Sequence, residues 1–330
     1  MLGHGSIWID PAYRAALRAA GLDRADRVLG YLGGRVVAWS RTTDTVHISA
    51  GGRGPGFFVK RYRYPKWRQR VRGALRGTFF GAHRTQAEAA TLTRLRAMGA
   101  PAVRPVAFGA VRAFHFVSAC FLITEEVPGA RNLTAYANDA RRAPEALSPA
   151  QRREMIDQLA IDVAHLRAVD AEHGQLFWRN ILFRIGAHQE PEYYFVDPDP
   201  QPLRRWLRGA AWWRMELARL AASARPFTTR SERLHFLMNV SAAEATDAEI
   251  KADAREIERL AERWASHESQ RIHRAGLFSA WNRALAEELR GVEDSAGIAD
   301  TLVDSATQNS RDGAHEASLA ARVVTASAGP

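Results

Sequence analysis

The secondary-structure signals of this chain change at about residue 130. Before that point short apolar segments alternate with polar or Gly/Pro-rich turns, and after it apolar residues recur at helical spacing. A strand-rich part followed by a helical part predicts an α+β protein with two lobes. The predicted domains are an N-terminal helical extension at 1–34, a small sheet lobe at 35–128, a helical lobe at 129–292 and a disordered tail at 293–330.

The predicted small lobe is an antiparallel sheet with one helix after its third strand. Its strand segments are RVVAWSR (35–41), TVHIS (45–49), FFVKRY (57–62), VRPVAFGAVRAF (103–114) and ACFLITEEVPG (119–129). The helix HRTQAEAATLTRLRAMG (83–99) ends at a glycine. The helical lobe opens with a long helix that starts at Ser148 and Pro149, and a two-strand hairpin over 181–197 interrupts its helices.

All of the net charge lies in one segment. From Thr45 to Ala87 there are ten basic residues and no acidic one, whereas the rest of the chain has 36 of each, so that the chain carries +10. This segregation favours an anionic partner over a merely solvated face. Trp67, Val71 and Leu75 recur every fourth residue between arginines, which predicts a helix that either binds an anionic glycolipid or membrane surface or covers the sheet lobe. The residues assigned to the anionic contact are Lys66, Arg68, Arg70, Arg72 and Arg76.

The single cysteine, Cys120, excludes an internal disulfide and a cysteine-based metal site, and its apolar neighbours predict a buried position. The sequence shows neither a signal pattern nor an apolar run of membrane-spanning length. These features predict a cytoplasmic protein, soluble or peripheral on the inner face of the cell membrane.

Five polar residues occur in an order that suits phosphoryl transfer, which needs a cation on the phosphates, ligands for magnesium and a group that orients the attacking hydroxyl. Lys60 lies in an apolar strand although the chain has only three lysines, which indicates a need for a compact ammonium. Glu88 on the next helix can pair with it. Asn180 and Asp197 offer oxygen ligands for magnesium, and His173 can brace the loop before Asn180.

Each of these residues alone has a structural explanation, because strand lysines extend to solvent and lone histidines are more often structural. Their order is the stronger signal. A strand lysine, a helix glutamate, a strand ending in a turn, a long helix, the spacing H-x-x-x-x-x-x-N, a hairpin and an aspartate follow one another. This is the order of a protein-kinase-like fold.

Four segments resemble the lipopolysaccharide kinase family, the Kdo and heptose kinases of Gram-negative bacteria. They are FFVKRYR, EAATLTRLRAMGAPAVRPVAFG, FLITEEVPG and HGQLFWRNILF, within a similarity that extends over roughly residues 35–240, and RSERLHFL at 230–237 is similar as well. The resemblance implies a protein-kinase-like fold, ATP and Mg²⁺ as cofactors, and transfer of the γ-phosphoryl group to a core sugar hydroxyl on lipid A. It implies phosphate binding by Lys60, pairing by Glu88, magnesium binding by Asn180 and Asp197, and an adenine hinge at Glu125, Glu126 and Val127.

The sequence departs from the family pattern at two places. The turn TTDT (42–45) lacks the glycines that let backbone amides approach phosphate, which predicts weak nucleotide affinity. Gln175 stands where the pattern has the catalytic aspartate, and an amide orients a hydroxyl but does not take its proton. Because general base catalysis contributes about 10²- to 10⁴-fold, the substitution predicts a slow enzyme rather than an inactive one. Asp170 and Asp199 are the alternative bases nearby in sequence.

Three other functions are compatible with parts of this pattern. A pseudokinase that binds nucleotide or lipopolysaccharide as a scaffold would explain Gln175 and the glycine-poor turn. A small-molecule kinase of the aminoglycoside or choline type would use the same fold. A nucleic-acid binder would use the basic segment but would leave Lys60, Glu88, Asn180 and Asp197 unexplained, which argues against it.

Overall fold

The computed structural model describes residues 4–40, 42–49, 54–66, 70, 82–113, 116–140, 147–199, 206–207, 209, 211–241 and 245–296, from residue 272 on by backbone alone. Its contacts divide the chain into two units, Met1–Gly276 and Leu277–Pro330. Both lobes, apart from the end of the last helix, belong to the first unit. Of the second, only the backbone as far as Ala296 is described.

Six antiparallel strands form the sheet of the small lobe. They are β1 (His4–Ile9), β2 (Arg35–Trp39), β3 (Thr43–Ile48), β4 (Phe57–Arg63), β5 (Pro105–Ala113) and β6 (Phe116–Glu125). Their spatial order is β1-β5-β6-β4-β3-β2. Lys60 therefore lies on an interior strand, opposite Thr45 of β3 and Leu122 of β6.

The two faces of this sheet pack against different helices. Phe121 and Ile123 of β6 belong to one apolar cluster with residues of α1 (Arg14–Ala19) and α2 (Ala25–Gly30). Leu122 belongs to another, which includes residues of α3 (Arg84–Ala97) and of the larger lobe. Because neighbouring strand residues point to opposite faces, this alternation places α3 on the side of the sheet that carries Lys60.

The larger lobe is mainly helical. Its elements are β7 (Arg131–Asn132), α4 (Leu133–Ala140), α5 (Pro149–Ala168), a 3₁₀ turn (Trp178–Asn180), β8 (Ile181–Ile185), β9 (Pro191–Phe195), α6 (Ala211–Ala224), α7 (Arg230–Val240) and α8 (Asp247–Ala296). The three strands form a small sheet in the order β7-β8-β9. Helix α5 begins with a capping box between Ser148 and Gln151, with Pro149 in its first turn.

The segment after α3 is bonded to the larger lobe. The Val103 amide donates to the Phe195 carbonyl at 3.1 Å, and the Phe195 amide donates to the Pro101 carbonyl at 2.7 Å. The His165 ring lies 2.8 Å from the Met98 carbonyl through its Nε2 atom. These contacts fix the helix that carries Glu88 relative to the strand that leads to Asp197.

The predicted α+β architecture, with an antiparallel sheet lobe and a helical lobe, is confirmed. Cys120 is fully buried, as its apolar neighbours predict. None of the described helices is both long and apolar enough to cross a membrane. The domain limits at 34, 128 and 292 stay a prediction.

Several local predictions differ from the structure. Strand β1 was not predicted, and it pairs with β5 at the edge of the sheet. The apolar spacing predicts one helical stretch through Ile250, Ile257, Leu260 and Trp264 and a last helix through Leu277, Trp281, Leu285 and Leu289, whereas the structure has one continuous helix, α8. The turn assigned to 42–45 lies earlier, because Ser40 and Thr43 bond each other's backbone and Thr43 already belongs to β3. The predicted tail lies outside the described residues, apart from 293–296 at the end of α8.

Candidate active site

Three charged residues from three distant parts of the chain meet, namely Lys60 of β4, Glu88 of α3 and Asp197, which follows β9. The Lys60 Nζ atom lies 2.9 Å from Glu88 Oε1 and 2.7 Å from Asp197 Oδ1. Glu88 is buried, whereas the Asp197 side chain keeps 45% of its surface exposed. The cluster therefore has a closed end at Glu88 and an open end at Asp197.

The local sequence explains why Glu88 reaches the sheet. The His83 side chain accepts a hydrogen bond from the Gln86 amide and caps α3, so that Glu88 falls in the second turn on the buried face. Its second carboxylate oxygen accepts a hydrogen bond from the Tyr62 hydroxyl at 3.3 Å. The Arg84 guanidinium lies over the same tyrosine ring, 4.7 Å from its centroid. Glu88 is thus held from two sides.

Burial and charge act against each other in this cluster. Burial alone would lower the pKa of the Lys60 ammonium, but the Asp197 and Glu88 carboxylates raise it well above its usual value. Burial raises the pKa of Glu88 to about 7, against the lowering effect of Lys60. For Asp197 the Lys60 ammonium outweighs burial, and the pKa of that carboxyl is lowered. Lys60 is therefore a permanent cation at neutral pH, and Asp197 is a permanent anion.

The segment from His173 to Asn180 is a tightly bonded loop. The His173 Nε2 atom lies 3.0 Å from the Val196 carbonyl, and the Gln175 amide donates to its Nδ1 atom at 3.3 Å. Burial lowers the pKa of His173 to about 4. The ring is thus neutral at physiological pH, with its proton on Nε2, and it ties this loop to the residue before Asp197.

Asn180 is placed to offer an oxygen to a metal ion. Its Nδ2 atom donates to the Gln175 carbonyl at 2.9 Å, so that the amide oxygen points away from that contact. The Asn180 carbonyl accepts from the Val196 amide at 3.0 Å, which brings Asp197 alongside. An amide oxygen and a half-exposed carboxylate fit the oxygen ligands of magnesium. Among the described residues no group of three or more His, Cys, Asp and Glu side chains forms a richer metal site.

The Gln175 side chain is partly exposed, and within the described part of the chain it shows no hydrogen bond from its amide group. Only its backbone is engaged, through the contacts to His173 and Asn180. Asp199 lies close, since its backbone amide donates to the His173 carbonyl at 2.8 Å. Asp170 lies in the turn after α5 and has a positive φ of 52°. The geometry leaves the side-chain amide of Gln175 free to meet a substrate hydroxyl.

The predicted hinge residues are engaged through their side chains. Glu125 accepts a hydrogen bond from the Tyr13 hydroxyl at 2.6 Å, and Glu126 Oε1 lies 2.9 Å from His47 Nε2 without the geometry of a hydrogen bond. Their backbone amides donate to Arg104 and Gly56 carbonyls. Neither glutamate therefore has a free backbone amide, and within the described part of the chain no hydrogen bond engages the Val127 amide.

The anionic-contact residues fall only partly within the described chain. Lys66 is exposed, and Arg70 donates through Nε to the Tyr64 carbonyl at 2.9 Å. Arg68, Arg72 and Arg76 lie outside the described residues, as does most of the predicted basic helix. The Asp44 carboxylate of the predicted phosphate-covering turn is paired with Arg61 and Arg63. That carboxylate is a structural partner of the sheet lobe.

Sequence reasoning missed the residues that support the loop from behind. Glu216 of α6 is 2% exposed, accepts from the Gly174 amide at 3.1 Å and pairs with Arg219. Ser223 of the same helix accepts from the Trp178 amide at 3.0 Å. Burial raises the pKa of Glu216 to about 7. The sequence does carry one signal for them. Glu216 and Arg219, three residues apart, interrupt an otherwise apolar helical stretch, ELARLAASA (216–224).

A second feature of the larger lobe is a cavity of about 1070 Å³ between its helices. Apolar side chains from α4 to α8 line most of it, among them Tyr136, Met155, Leu217, Leu237 and Ile257, and Trp178 of the loop reaches it as well. Exposed basic residues lie around it, namely Arg230, Lys251 and Arg255. The predicted segment RSERLHFL contributes to its wall.

Comparison with known proteins supports the two-lobed interpretation. The model of the Lipopolysaccharide kinase (Kdo/WaaP) family matches residues 23–252. The solved structure of WaaP in complex with acyl carrier protein is 20% identical, and the alignment covers 80% of this chain and 99% of that chain with a TM-score of 0.52. At that identity the likeness shows the fold alone.

Two protein kinase domains also match at lower similarity. A double mutant of the Mycobacterium tuberculosis PknI kinase domain is 15% identical, with 69% of this chain and 94% of that chain covered and a TM-score of 0.40. The maize SIRK1 kinase domain bound to AMP-PNP is 11% identical, with 70% and 94% covered and a TM-score of 0.37. No curated protein sequence matches this chain.

Proposed function

Because the chain belongs to the lipopolysaccharide kinase (Kdo/WaaP) family, we propose that it transfers the γ-phosphoryl group of ATP to a hydroxyl of a Kdo or heptose sugar in the lipopolysaccharide core. The observation that carries the proposal is the cluster of Lys60, Glu88 and Asp197, which faces the loop that presents Asn180. Membership of the family supports phosphotransfer as the reaction class, and the cluster supports this chain's competence to bind a nucleotide.

Lys60 is the residue that would meet the nucleotide phosphates. Its ammonium is held by Glu88 from the closed end of the cluster and by Asp197 from the open end. Phosphate oxygens would replace Asp197 at the ammonium, while Glu88 keeps the lysine extended. Asp197 would then be free to act with Asn180 as a magnesium ligand. A magnesium ion held there would neutralise the charge on the transferring phosphoryl group.

Gln175 would orient the attacking sugar hydroxyl. Its carbonyl oxygen can accept a hydrogen bond from that hydroxyl but cannot take the proton at neutral pH. His173 does not replace the missing base, because its ring is buried and already committed to Val196 and Gln175. Positioning and electrostatic stabilisation then provide the rate enhancement, which is lower than with an aspartate at this position.

The basic segment is the reason to prefer lipopolysaccharide, which is an anionic acceptor, over a small alcohol. Lys60, Arg61 and Arg63 pair with carboxylates inside the protein. The other basic residues between Thr45 and Ala87, a segment without an acidic residue, suit a phosphorylated, carboxylate-bearing glycolipid at an anionic membrane surface. The experiment is transfer of labelled γ-phosphate from Mg-ATP to lipopolysaccharide core extract, in parallel with choline and an aminoglycoside. Labelling of the core alone supports the proposal. Labelling of a small alcohol alone identifies a small-molecule kinase, and nucleotide binding without any transfer identifies a scaffold.

The cavity in the larger lobe favours a second partner. Its apolar wall and basic surroundings suit an apolar chain that is presented by an acidic carrier. Since the solved WaaP structure is a complex with acyl carrier protein, we propose that this chain also binds an acyl carrier protein and takes its acyl chain into the cavity. Trp178 would couple the bound chain to the loop, because its backbone amide is bonded to Ser223.

This second proposal is tested by thermal stability with acylated carrier, unacylated carrier and free fatty acid. Acylated carrier should raise the melting temperature most. Ala254→Trp, which fills the cavity, should abolish this rise in melting temperature. Arg255→Glu should reduce the rise caused by acylated carrier but not the rise caused by free fatty acid. Equal shifts with acylated and unacylated carrier would contradict insertion of the chain.

A further inference from the structure

Helix α8 contacts the loop that carries Gln175 and Asn180. The Glu268 carboxylate pairs with the Arg179 guanidinium, and Arg179 lies 4.0 Å from the centroid of the Phe177 ring. Glu268 is only 3% exposed. The family match ends at residue 252, so that this contact comes from a part of the chain beyond it.

A second residue of the same helix, Trp264, contacts both the loop and the residues that support the loop from behind. Trp264, one turn before Glu268, meets the edge of Phe177 at a centroid distance of 6.4 Å. The Arg219 guanidinium lies 5.6 Å from the Trp264 ring centroid and pairs with Glu216, which binds the Gly174 amide. The loop is therefore held by contacts at three residues: Gly174, Phe177 and Arg179.

Each of the two residues that would do chemistry directly follows a residue held by these contacts. Gln175 follows Gly174, and Asn180 follows Arg179. The Asn180 side chain is bonded to the Gln175 carbonyl at 2.9 Å, so that a displacement at either end moves both groups together. A buried carboxylate is costly unless it is paired, which makes the arginine and the glutamate depend on each other for their positions.

We infer that Glu268 and Trp264 are positioning residues for the loop, and that the part of α8 beyond the family region is required to set the spacing of Gln175 and Asn180. Neither residue would touch the nucleotide. They act by fixing Arg179 and Phe177, and hence the amide oxygen that Asn180 offers to magnesium. The inference deepens the proposed function and rests on it for the role of Asn180.

The test compares Glu268→Gln with Asp253→Asn. Both carboxylates lie on α8 and pair with an arginine of another element, but Asp253 pairs with Arg214 of α6, and neither of these two residues lines the cavity. Glu268→Gln should lower kcat by about 10- to 100-fold and raise the magnesium concentration for half-maximal activity, with little change in KM for ATP. Asp253→Asn should change neither kcat nor the magnesium dependence, even if it lowers the melting temperature as much.

A double variant separates positioning from mere stability. Arg179→Met combined with Glu268→Leu removes both charges and leaves no unpaired ion in the interior. If the pair only stabilises the lobe, this variant should regain wild-type kcat and magnesium dependence. If the pair positions the loop, the defect should persist in a folded protein.

Two readouts are independent of turnover. Hydrogen exchange of the amides of Gly174, Phe177 and Trp178 should accelerate in Glu268→Gln but not in Asp253→Asn, and calorimetry should show weaker magnesium-dependent binding of ATP by Glu268→Gln. These results would support the inference even if the wild-type protein transferred no phosphate to any acceptor, which would overturn the proposed function alone. Unchanged exchange and unchanged magnesium dependence in Glu268→Gln would overturn the inference.

Discussion

Glu88 and Glu216 are buried glutamates of the site, one in each lobe, and they hold different kinds of group. Glu88 is 4% exposed and holds a side chain, the Lys60 ammonium. Glu216 is 2% exposed and holds backbone, the Gly174 amide, together with Arg219. Burial raises the pKa of both to about 7. The comparison shows that the same buried carboxylate can place a reacting group directly or place the loop that carries one.

The largest expected effect concerns the lysine that Glu88 holds. Lys60→Met keeps the length of the side chain and removes the charge, so that phosphoryl transfer should fall by about 10²- to 10³-fold. The assay is single-turnover transfer from Mg-ATP to the core acceptor. Lys60→Arg should not rescue it, because a planar guanidinium does not fit between Glu88 and Asp197. Full activity of Lys60→Met would remove Lys60 from the site.

The next effect is that of Glu88 itself. Glu88→Gln leaves Lys60 with Asp197 as its only anionic partner, and we expect a loss of roughly 10²-fold in kcat/KM from the misplaced ammonium. Because the pKa of Glu88 is about 7, wild-type activity should rise between about pH 6 and pH 8 as this carboxyl ionises. A pH profile checks both points. If the activity of Glu88→Gln rose by the same factor between about pH 6 and pH 8, the ionisation would belong to another group.

Glu216→Gln should have a smaller effect on rate, about tenfold, because glutamine can still accept the Gly174 amide. Its pH dependence is more diagnostic. A carboxyl with a pKa raised to about 7 stabilises the fold below the unfolded pKa, near 4.5, and this contribution is lost as pH rises through 7. The free energy of unfolding of Glu216→Gln should therefore increase relative to wild type over that range. Denaturant titrations at several pH values measure it, and a constant difference would show that Glu216 stays ionised.

A separate effect, on stability rather than on rate, is expected from the titration of His173. The folded ring has a pKa of about 4 and the unfolded one about 6.5, so that stability is lost as pH falls through this window. His173→Gln removes that titration. The difference in unfolding free energy between wild type and variant should shrink by up to about 3 kcal/mol between pH 7 and pH 4. An unchanged difference would mean that the folded ring accepts a proton.

The fold was predictable because its signals are local. The apolar strand FFVKRY, the helix that begins after His83 and the capped helix after Ser148 each carry their own periodicity and end signals. Strand β1 escaped prediction because a single edge strand at the start of the chain has no turn partner in sequence. It pairs instead with β5, about a hundred residues away.

The site was predictable only where residue type and order carried the chemistry. Lys60, Glu88, Asn180 and Asp197 stand in the order of residues that phosphoryl transfer needs, whereas Glu216 and Glu268 have no place in that order. Their burial depends on which helices pack behind the loop, which is a tertiary property. The hinge shows the same limit, because nothing in the sequence indicates that Tyr13 and His47 engage its two glutamates.

The central claim is that this chain moves phosphate with glutamine in place of the usual base. The most direct measurement is the rate of γ-phosphate transfer from Mg-ATP to lipopolysaccharide core by wild type, Gln175→Asp and Asp197→Ala. We expect slow transfer by wild type, a gain of about 10²-fold in Gln175→Asp and no transfer by Asp197→Ala. If wild type and Gln175→Asp both bind Mg-ATP but neither transfers phosphate, the claim is contradicted and the chain is a scaffold.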